Sequence, residues 1–308
     1  MGRVTGNYLI AKTLKEEGVD TLFYLMGGPD FDIVMECQDL GIRTIDFRHE
    51  QAAAFAAHAY ARVTGKPGVI TAASGPGTLN LITGVYTAAI DCAPMVILGG
   101  ASAVHEISRD SFQEVDQVGI MQPLCKYWHR PTMASRYPEI VSTAYRQAQS
   151  GRPGPAYIDC GGDVLYEEVE EDSVSQATRA ETRTRPAAEG SVVDKAMELI
   201  SGAERPLIFA GGGAFFSGAA PELERFVDTT NIPFYTAPMS RGLIPEDHPV
   251  SFPAARSTAM READVVLVVG TRLNWMMNYG KRFNPSARII QIDIDESELG
   301  HNQNIELG

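Results

Sequence analysis

Apolar and polar positions alternate along the first half of the chain in two rhythms. Helical spacing runs through Asn7–Glu17, Phe31–Leu40, the Ala-rich Glu50–Val63, Leu79–Ile90 and Ile140–Gln149. Short apolar runs stand between them: Thr21–Gly27, the four residues TIDF, Gly68–Ser74, Pro94–Gly100 and Pro155–Cys160. Runs of this length, bounded by glycine and proline, read as buried strands. Strands alternating with helices predict an α/β fold with a doubly wound parallel sheet covered on both faces.

The same rhythm restarts further on. Helices are predicted at Val192–Ser201 and Ala220–Thr230, and strands at Pro206–Gly212, Pro233–Pro238, Ala263–Gly270 and Arg288–Ile294. Between the halves, Glu167–Gly190 opens on the acidic run EEVEED and holds few large apolar residues. It is expected to be a linker that wraps the surface or stays mobile. The chain has 308 residues, enough for two domains. The expected organisation is therefore a first domain over 1–166, a linker over 167–190 and a second parallel-sheet domain over 191–308.

Composition narrows the partners. A net charge of −13 argues against nucleic acid, because no basic stripe is present to meet a phosphate backbone. Cys37, Cys92, Cys125 and Cys160 lie far apart, so a zinc ribbon or redox pair is not expected. No apolar run approaches the ~20 residues that span a bilayer, and the N-terminus has no apolar signal core. The expectation is a cytoplasmic protein with no membrane partner.

Candidate chemistry gathers between residues 47 and 114. Glu50 opens a helix just after a strand, a position that suits any acidic side chain near the helix dipole. Ser74–Gly75–Pro76–Gly77 links a strand to a helix and would bring backbone close to the carboxyl edge of the sheet. Taken singly, each has a plain structural explanation.

Taken in order, they carry a resemblance. His49–Glu50–Gln51 is followed by Ala57, Tyr60, Ala61 and Arg62, then Thr64–Gly65, Ser74–Gly75–Pro76–Gly77 and Asn80. Asp110–Ser111–Phe112–Gln113–Glu114 and Gly151–Arg152–Pro153–Gly154–Pro155 come next. This resembles the pyrimidine-binding domain of thiamine-diphosphate enzymes related to 2-hydroxyacyl-CoA lyase, oxalyl-CoA decarboxylase and acetolactate synthase. The resemblance implies that Glu50 hydrogen-bonds a ring nitrogen of the cofactor's aminopyrimidine and favours the imino tautomer, which takes the thiazolium proton. Gly27, Gly28, Ser74, Gly75, Pro76, Gly77 and Asn80 would lie against the cofactor. Phe112 and Gln113 would line its substrate side, and His49 would shuttle protons.

The second half is similar to the central domain of the same enzymes. The run Arg272–Leu273–Asn274–Trp275 resembles the acyl-CoA branch rather than acetolactate synthases. That implies a CoA thioester substrate, with Arg256 and Ser257 near a CoA phosphate. Arg152, Gly211, Gly212, Arg272 and Asp293 would serve an adenine nucleotide such as ADP. The Gly–Asp–Gly of the family's third domain, whose residues hold Mg2+ and the diphosphate, does not occur. The expectation is thus no metal ligand in this sequence, and a partner subunit or C-terminal domain that supplies them. The resemblance also implies a homo- or hetero-oligomer, a dimer of dimers. A lyase or ligase acting on 2-hydroxyacyl-CoA is expected, with an acetolactate synthase-like carboligase and a non-catalytic nucleotide-binding subunit as alternatives.

Overall fold

The computed structural model describes residues 2–175, 177 and 185–308. It divides into two compact units, 1–183 and 184–308, and the division falls inside the expected linker.

In the first unit, β1 (Arg3–Thr5), α1 (Gly6–Glu16), β2 (Thr21–Leu25), α2 (Phe31–Asp39), β3 (Arg43–Asp46) and α3 (Glu50–Thr64) follow one another. Then come β4 (Gly68–Ala72), α4 (Pro76–Asn80), α5 (Ile82–Asp91), β5 (Met95–Ala101) and α6 (Gln117–Met121). The unit closes with β6 (Tyr127–His129), α7 (Tyr137–Gln149), β7 (Pro155–Gly161), α8 (Gly162–Leu165) and β8 (Glu168–Glu170). Six strands form one parallel sheet in the order β3-β2-β4-β5-β7-β6.

Local chemistry explains these elements. The Thr5 hydroxyl accepts the Tyr8 N–H and starts α1, which buries Leu9, Ile10 and Leu14. Beside Glu50 and His58, helix α3 buries a stripe of small residues, Ala53, Ala54, Ala57 and Ala61, and so lies close to its neighbours. Gly65 ends it in the left-handed conformation, φ 70°. Strands β4, β5 and β7 are buried along their whole length, as a sheet covered on both faces requires.

Several details differ from expectation. The predicted helix Leu79–Ile90 is two helices, α4 and α5, joined where the Leu81 N–H turns back to the Thr78 carbonyl at 3.2 Å. The expected linker is partly ordered: β8 pairs antiparallel with β1, and Lys12 Nζ meets Glu171 Oε1 at 2.8 Å. Its residues Gln176 and 178–184 lie outside the described residues. Strand β6, an edge strand of three residues, was not anticipated.

The second unit holds α9 (Gly190–Ser201), β9 (Pro206–Ala210), α10 (Gly212–Phe216), α11 (Ala220–Thr230) and β10 (Phe234–Thr236). These are followed by α12 (Arg256–Glu262), β11 (Val265–Val269) and β12 (Arg288–Ile292). The strands form a parallel sheet ordered β10-β9-β11-β12. Apolar clusters cover both faces, one around Ile208, Val227 and Leu267, the other around Phe209, Val266 and Phe283. No helix among the described residues is long and apolar enough to cross a membrane.

Candidate active site

In a parallel sheet the strand order reverses where consecutive crossovers leave on opposite sides, and the loops there part to form a crevice. In the first unit this point lies between β2 and β4, since β2 leads outward to β3 and the chain then returns to β4. The two loops that follow β2 and β4 meet. The Ser74 N–H donates to the Gly28 carbonyl at 3.1 Å. A Cβ on Gly27 would stand 2.4 Å from that of Ala73, so glycine is required for the approach.

Gly75 turns the chain with φ 60° and ψ −112°, a conformation that favours glycine, and Pro76 begins α4 behind it. A Cβ on Gly75 would also lie 2.4 Å from the Gln113 carbonyl oxygen. The segment bearing Gln113 therefore packs directly on the turn. Ser74 Oγ donates to Gln113 Oε1 at 2.9 Å.

Glu50 begins α3 and faces this turn. It is 8% exposed. Asn80 Nδ2 donates to its Oε2 at 3.0 Å. Its Oε1 accepts no hydrogen bond from the described residues. A Cβ on Gly77 would lie 3.3 Å from that oxygen, so the missing side chain keeps the space beside the carboxyl clear. The carboxyl thus stands neither on the outer surface nor in a filled interior. An acceptor oxygen beside bare backbone suits a flat heterocycle that presents a protonated nitrogen.

These geometries arise in segments that match known proteins. Residues 4–120 match the family model for the thiamine pyrophosphate enzyme N-terminal TPP binding domain, and residues 193–308 match that for the thiamine pyrophosphate enzyme central domain. The chain belongs to the thiamine pyrophosphate enzyme family. It is 37% identical over 303 residues to 2-hydroxyacyl-CoA lyase of Arabidopsis thaliana, covering 96% of this chain and 53% of that protein. Oxalyl-CoA decarboxylase of Escherichia coli (strain K12) is 35% identical over 305 residues, 97% of this chain and 54% of that protein. A probable acetolactate synthase large subunit of Methanococcus aeolicus is 38% identical over 320 residues, 99% of this chain and 53% of that protein. The chain therefore spans about half the length of the curated relatives it matches.

Within this thiamine pyrophosphate enzyme fold, the crevice brings together Glu50, Gly27, Gly28, Ser74, Gly75, Gly77, Asn80 and Gln113. Two candidates stand differently. Phe112 is 85% exposed and holds no place in a helix start; its carbonyl accepts from Ser102 Oγ at 3.3 Å. His49 is exposed, and its Nδ1 accepts the Gln51 N–H at 3.1 Å. That bond caps α3 and leaves the ring proton on Nε2. Asn80 ends α4 rather than opening the next helix.

A buried network supports the turn, and sequence reasoning missed its centre. Gln117 is 2% exposed. Its Oε1 accepts the Gly75 N–H at 2.5 Å, and its Nε2 stands 2.9 Å from Asp159 Oδ1 and 3.0 Å from the Gly100 carbonyl. Asp159 is fully buried and is met by the Tyr157 hydroxyl and by Arg130 Nε, both at 2.5 Å. Behind the β2 loop, Asp30 is also fully buried. Burial pushes its carboxyl up to about 7, and a hydrogen bond from Thr71 offsets this only in part. Thr71 Oγ1 lies 2.9 Å from both Asp30 Oδ2 and the Leu98 carbonyl, yet it has one proton to give. A protonated Asp30 resolves the conflict by donating to that hydroxyl.

In the second unit the order reverses between β9 and β11, and Gly211 and Gly270 follow those strands. A Cβ on Gly211 would stand 2.2 Å from that of Thr271 and 2.4 Å from the Gly270 carbonyl oxygen. Close packing of the unit's own chain therefore accounts for Gly211, while a Cβ on Gly212 would meet Met239 at 3.1 Å. Asp293 follows β12 and accepts the Asp295 N–H at 3.0 Å; Arg272 follows Gly270 and is half-buried. Arg152 belongs to the first unit, where its Nε contacts Cys92 Sγ at 3.1 Å.

Arg256 opens α12 with Ser257 exposed beside it. Its guanidinium carbon lies 5.2 Å from the centre of the Phe209 ring. Its Nε is buried without a hydrogen-bond partner, and no carboxylate pairs with it among the described residues. Burial, then the neighbouring Arg282, pulls it below the ordinary arginine value. No cluster of three metal-ligating side chains occurs among the described residues.

Proposed function

We propose that the chain supplies the aminopyrimidine site of a thiamine-diphosphate-dependent enzyme that makes or breaks the carbon–carbon bond of a 2-hydroxyacyl-CoA, with formyl-CoA and an aldehyde or ketone as the other side of the reaction. The observation that carries this reading is Glu50 Oε1, held beside the clear space over Gly77. Bound thiamine diphosphate supplies the nucleophilic carbon and the electron sink for bond cleavage. Glu50 holds and returns a proton at Oε1 toward a ring nitrogen. The Gly75–Pro76–Gly77 backbone admits the rings, and burial of the carboxyl limits competition from water. Gln113, tied to Ser74, presents a neutral amide on the substrate side.

The CoA reading draws on Arg256. A half-buried guanidinium with no carboxylate partner is a cation prepared for an anion, and a CoA phosphate provides one. An adenine nucleotide at the β9–β11 reversal, near Arg272 and Asp293, extends the same proposal to ADP. Mg2+ and the diphosphate are assigned to residues of a further domain or a partner subunit, and oligomer formation follows from that sharing.

The test compares Glu50→Gln with the wild type in the assembled enzyme. Glutamine preserves shape but cannot exchange the proton. Turnover of formyl-CoA with a carbonyl partner should fall by roughly 100-fold or more, at nearly unchanged melting temperature. Unchanged turnover rejects the assignment. A second reading, an acetolactate synthase-like carboligase, is favoured by the 38% identity to the Methanococcus aeolicus protein. Turnover of pyruvate, without turnover of formyl-CoA, selects it.

A further inference from the structure

Asn80 stands in the crevice, and its side chain is engaged by the catalytic candidate itself. Asn80 Nδ2 lies 3.0 Å from Glu50 Oε2. A carboxylate only accepts hydrogen bonds, so the amide must turn its NH2 toward it. The two residues come from opposite helix ends, Glu50 from the first position of α3 and Asn80 from the last of α4. Each end is fixed independently: α3 by its His49 cap, α4 by the Gly75 turn held on Gln117.

We propose that Asn80 is a positioning residue that acts on the cofactor through Glu50. Two consequences follow, and the proposal rests on the reading of Glu50 as the aminopyrimidine partner. The amide removes rotational freedom from a long side chain, so the carboxyl is ordered before any ligand arrives. It occupies a lone pair of Oε2, which confines proton exchange to Oε1, the oxygen beside Gly77. Asn80 thereby selects which oxygen meets the ring.

A double-mutant cycle separates this role from direct contact with the cofactor. Thiamine diphosphate is titrated calorimetrically, with Mg2+, into the assembled enzyme carrying Asn80→Ala, Glu50→Gln or both. Asn80→Ala should weaken binding by roughly tenfold in the wild-type background, the value of a hydrogen bond to a charged group. In the Glu50→Gln background the same change should alter affinity by less than about twofold. Equal losses in both backgrounds mean that Asn80 touches the cofactor itself, and they overturn the proposal alone. A Glu50→Gln enzyme that binds and turns over like the wild type overturns the Glu50 reading and this proposal with it.

A second measurement needs no cofactor. Asn80→Asp replaces the donor with a like charge, so at pH 8 it should lower the melting temperature of the chain more than Asn80→Ala does. That difference should vanish in the Glu50→Gln background. Matching melting temperatures for the Asp and Ala variants beside an intact Glu50 would falsify the clamp.

Discussion

The carboxyl edges of the two sheets make an instructive pair. Both lie at a reversal of strand order, and both put glycine directly after a strand. At the first edge, the groups around the glycine turn are already engaged with one another: Glu50 with Asn80, Ser74 with Gln113, and the Gly75 N–H with Gln117. At the second, Gly211 is met by main chain and by Thr271, and the charged group nearby, Arg256, has no carboxylate partner among the described residues. Under the proposed function, the first edge is preorganised around a heterocycle whose proton is to be moved. The second leaves a cation waiting for an anion. Preorganisation suits chemistry, where misplacement costs rate, whereas an unpaired cation suits binding.

The comparison breaks most readily at Gln117. Gln117→Leu keeps the volume but removes partners from the Gly75 N–H, the Gly100 carbonyl and Asp159. Leaving such groups buried and unpaired should cost about 3 kcal/mol, read as a melting temperature lower by roughly 10 °C. Cofactor affinity should fall as well, because the turn loses its anchor. A melting temperature within a degree or two of the wild type would show that the network does not hold the turn, and the first edge would be no more preorganised than the second.

That network also marks the limit of what the sequence discloses. Strands β4, β5, β7, β9 and β11 announce themselves as apolar runs between glycine and proline, because both faces are buried. Strand β6 and the β1–β8 pair do not, since three residues are too few to show a period and edge positions tolerate polar side chains. Glu50, Gly75 and Gln113 are legible through their order along the chain. Gln117 reads as a polar residue of a short helix, and only its burial and its contact 42 residues away with Asp159 reveal its role. The one local hint is Asp116, whose carboxylate accepts the Gly119 N–H and fixes where that helix starts. The predicted helix Leu79–Ile90 puts Asn80 near its start; Pro76 starts a helix earlier, so Asn80 closes that one and reaches Glu50.

A smaller effect sharpens the first edge through Asp30. Its folded carboxyl titrates at about 7 against an ordinary value of 3.8. Below about pH 4 both the folded and unfolded chains hold the proton, and burial of the group costs least. As pH rises through the interval up to about 7, the unfolded chain ionises first, unfolding releases a proton, and stability falls. Asp30→Asn removes the ionisation while its NH2 donates to Thr71, which then serves Leu98. The variant should gain on the order of 2 kcal/mol over the wild type at pH 8, the released ionisation less the cost of burying an amide. The gain should shrink toward pH 4.5 in paired melting curves. A gain independent of pH would remove Asp30 titration from the account.

The smallest effect tests the second edge. Arg256→Ala gives up a stack on Phe209 that contributes about 1 kcal/mol, so the variant should remain folded and melt within a few degrees of the wild type. What it should lose is response to ligand. A CoA thioester that binds only the folded state raises the melting temperature in proportion to the logarithm of its concentration over its dissociation constant. The wild type should show that rise, and Arg256→Ala should not. Arg256→Lys should recover only part of it, because an ammonium keeps the charge but loses the planar fork that meets a phosphate with two bonds. Equal shifts in all three proteins would mean that the unpaired guanidinium does not serve CoA. The contrast between an edge built for chemistry and an edge built for an anion would then rest on the first edge alone.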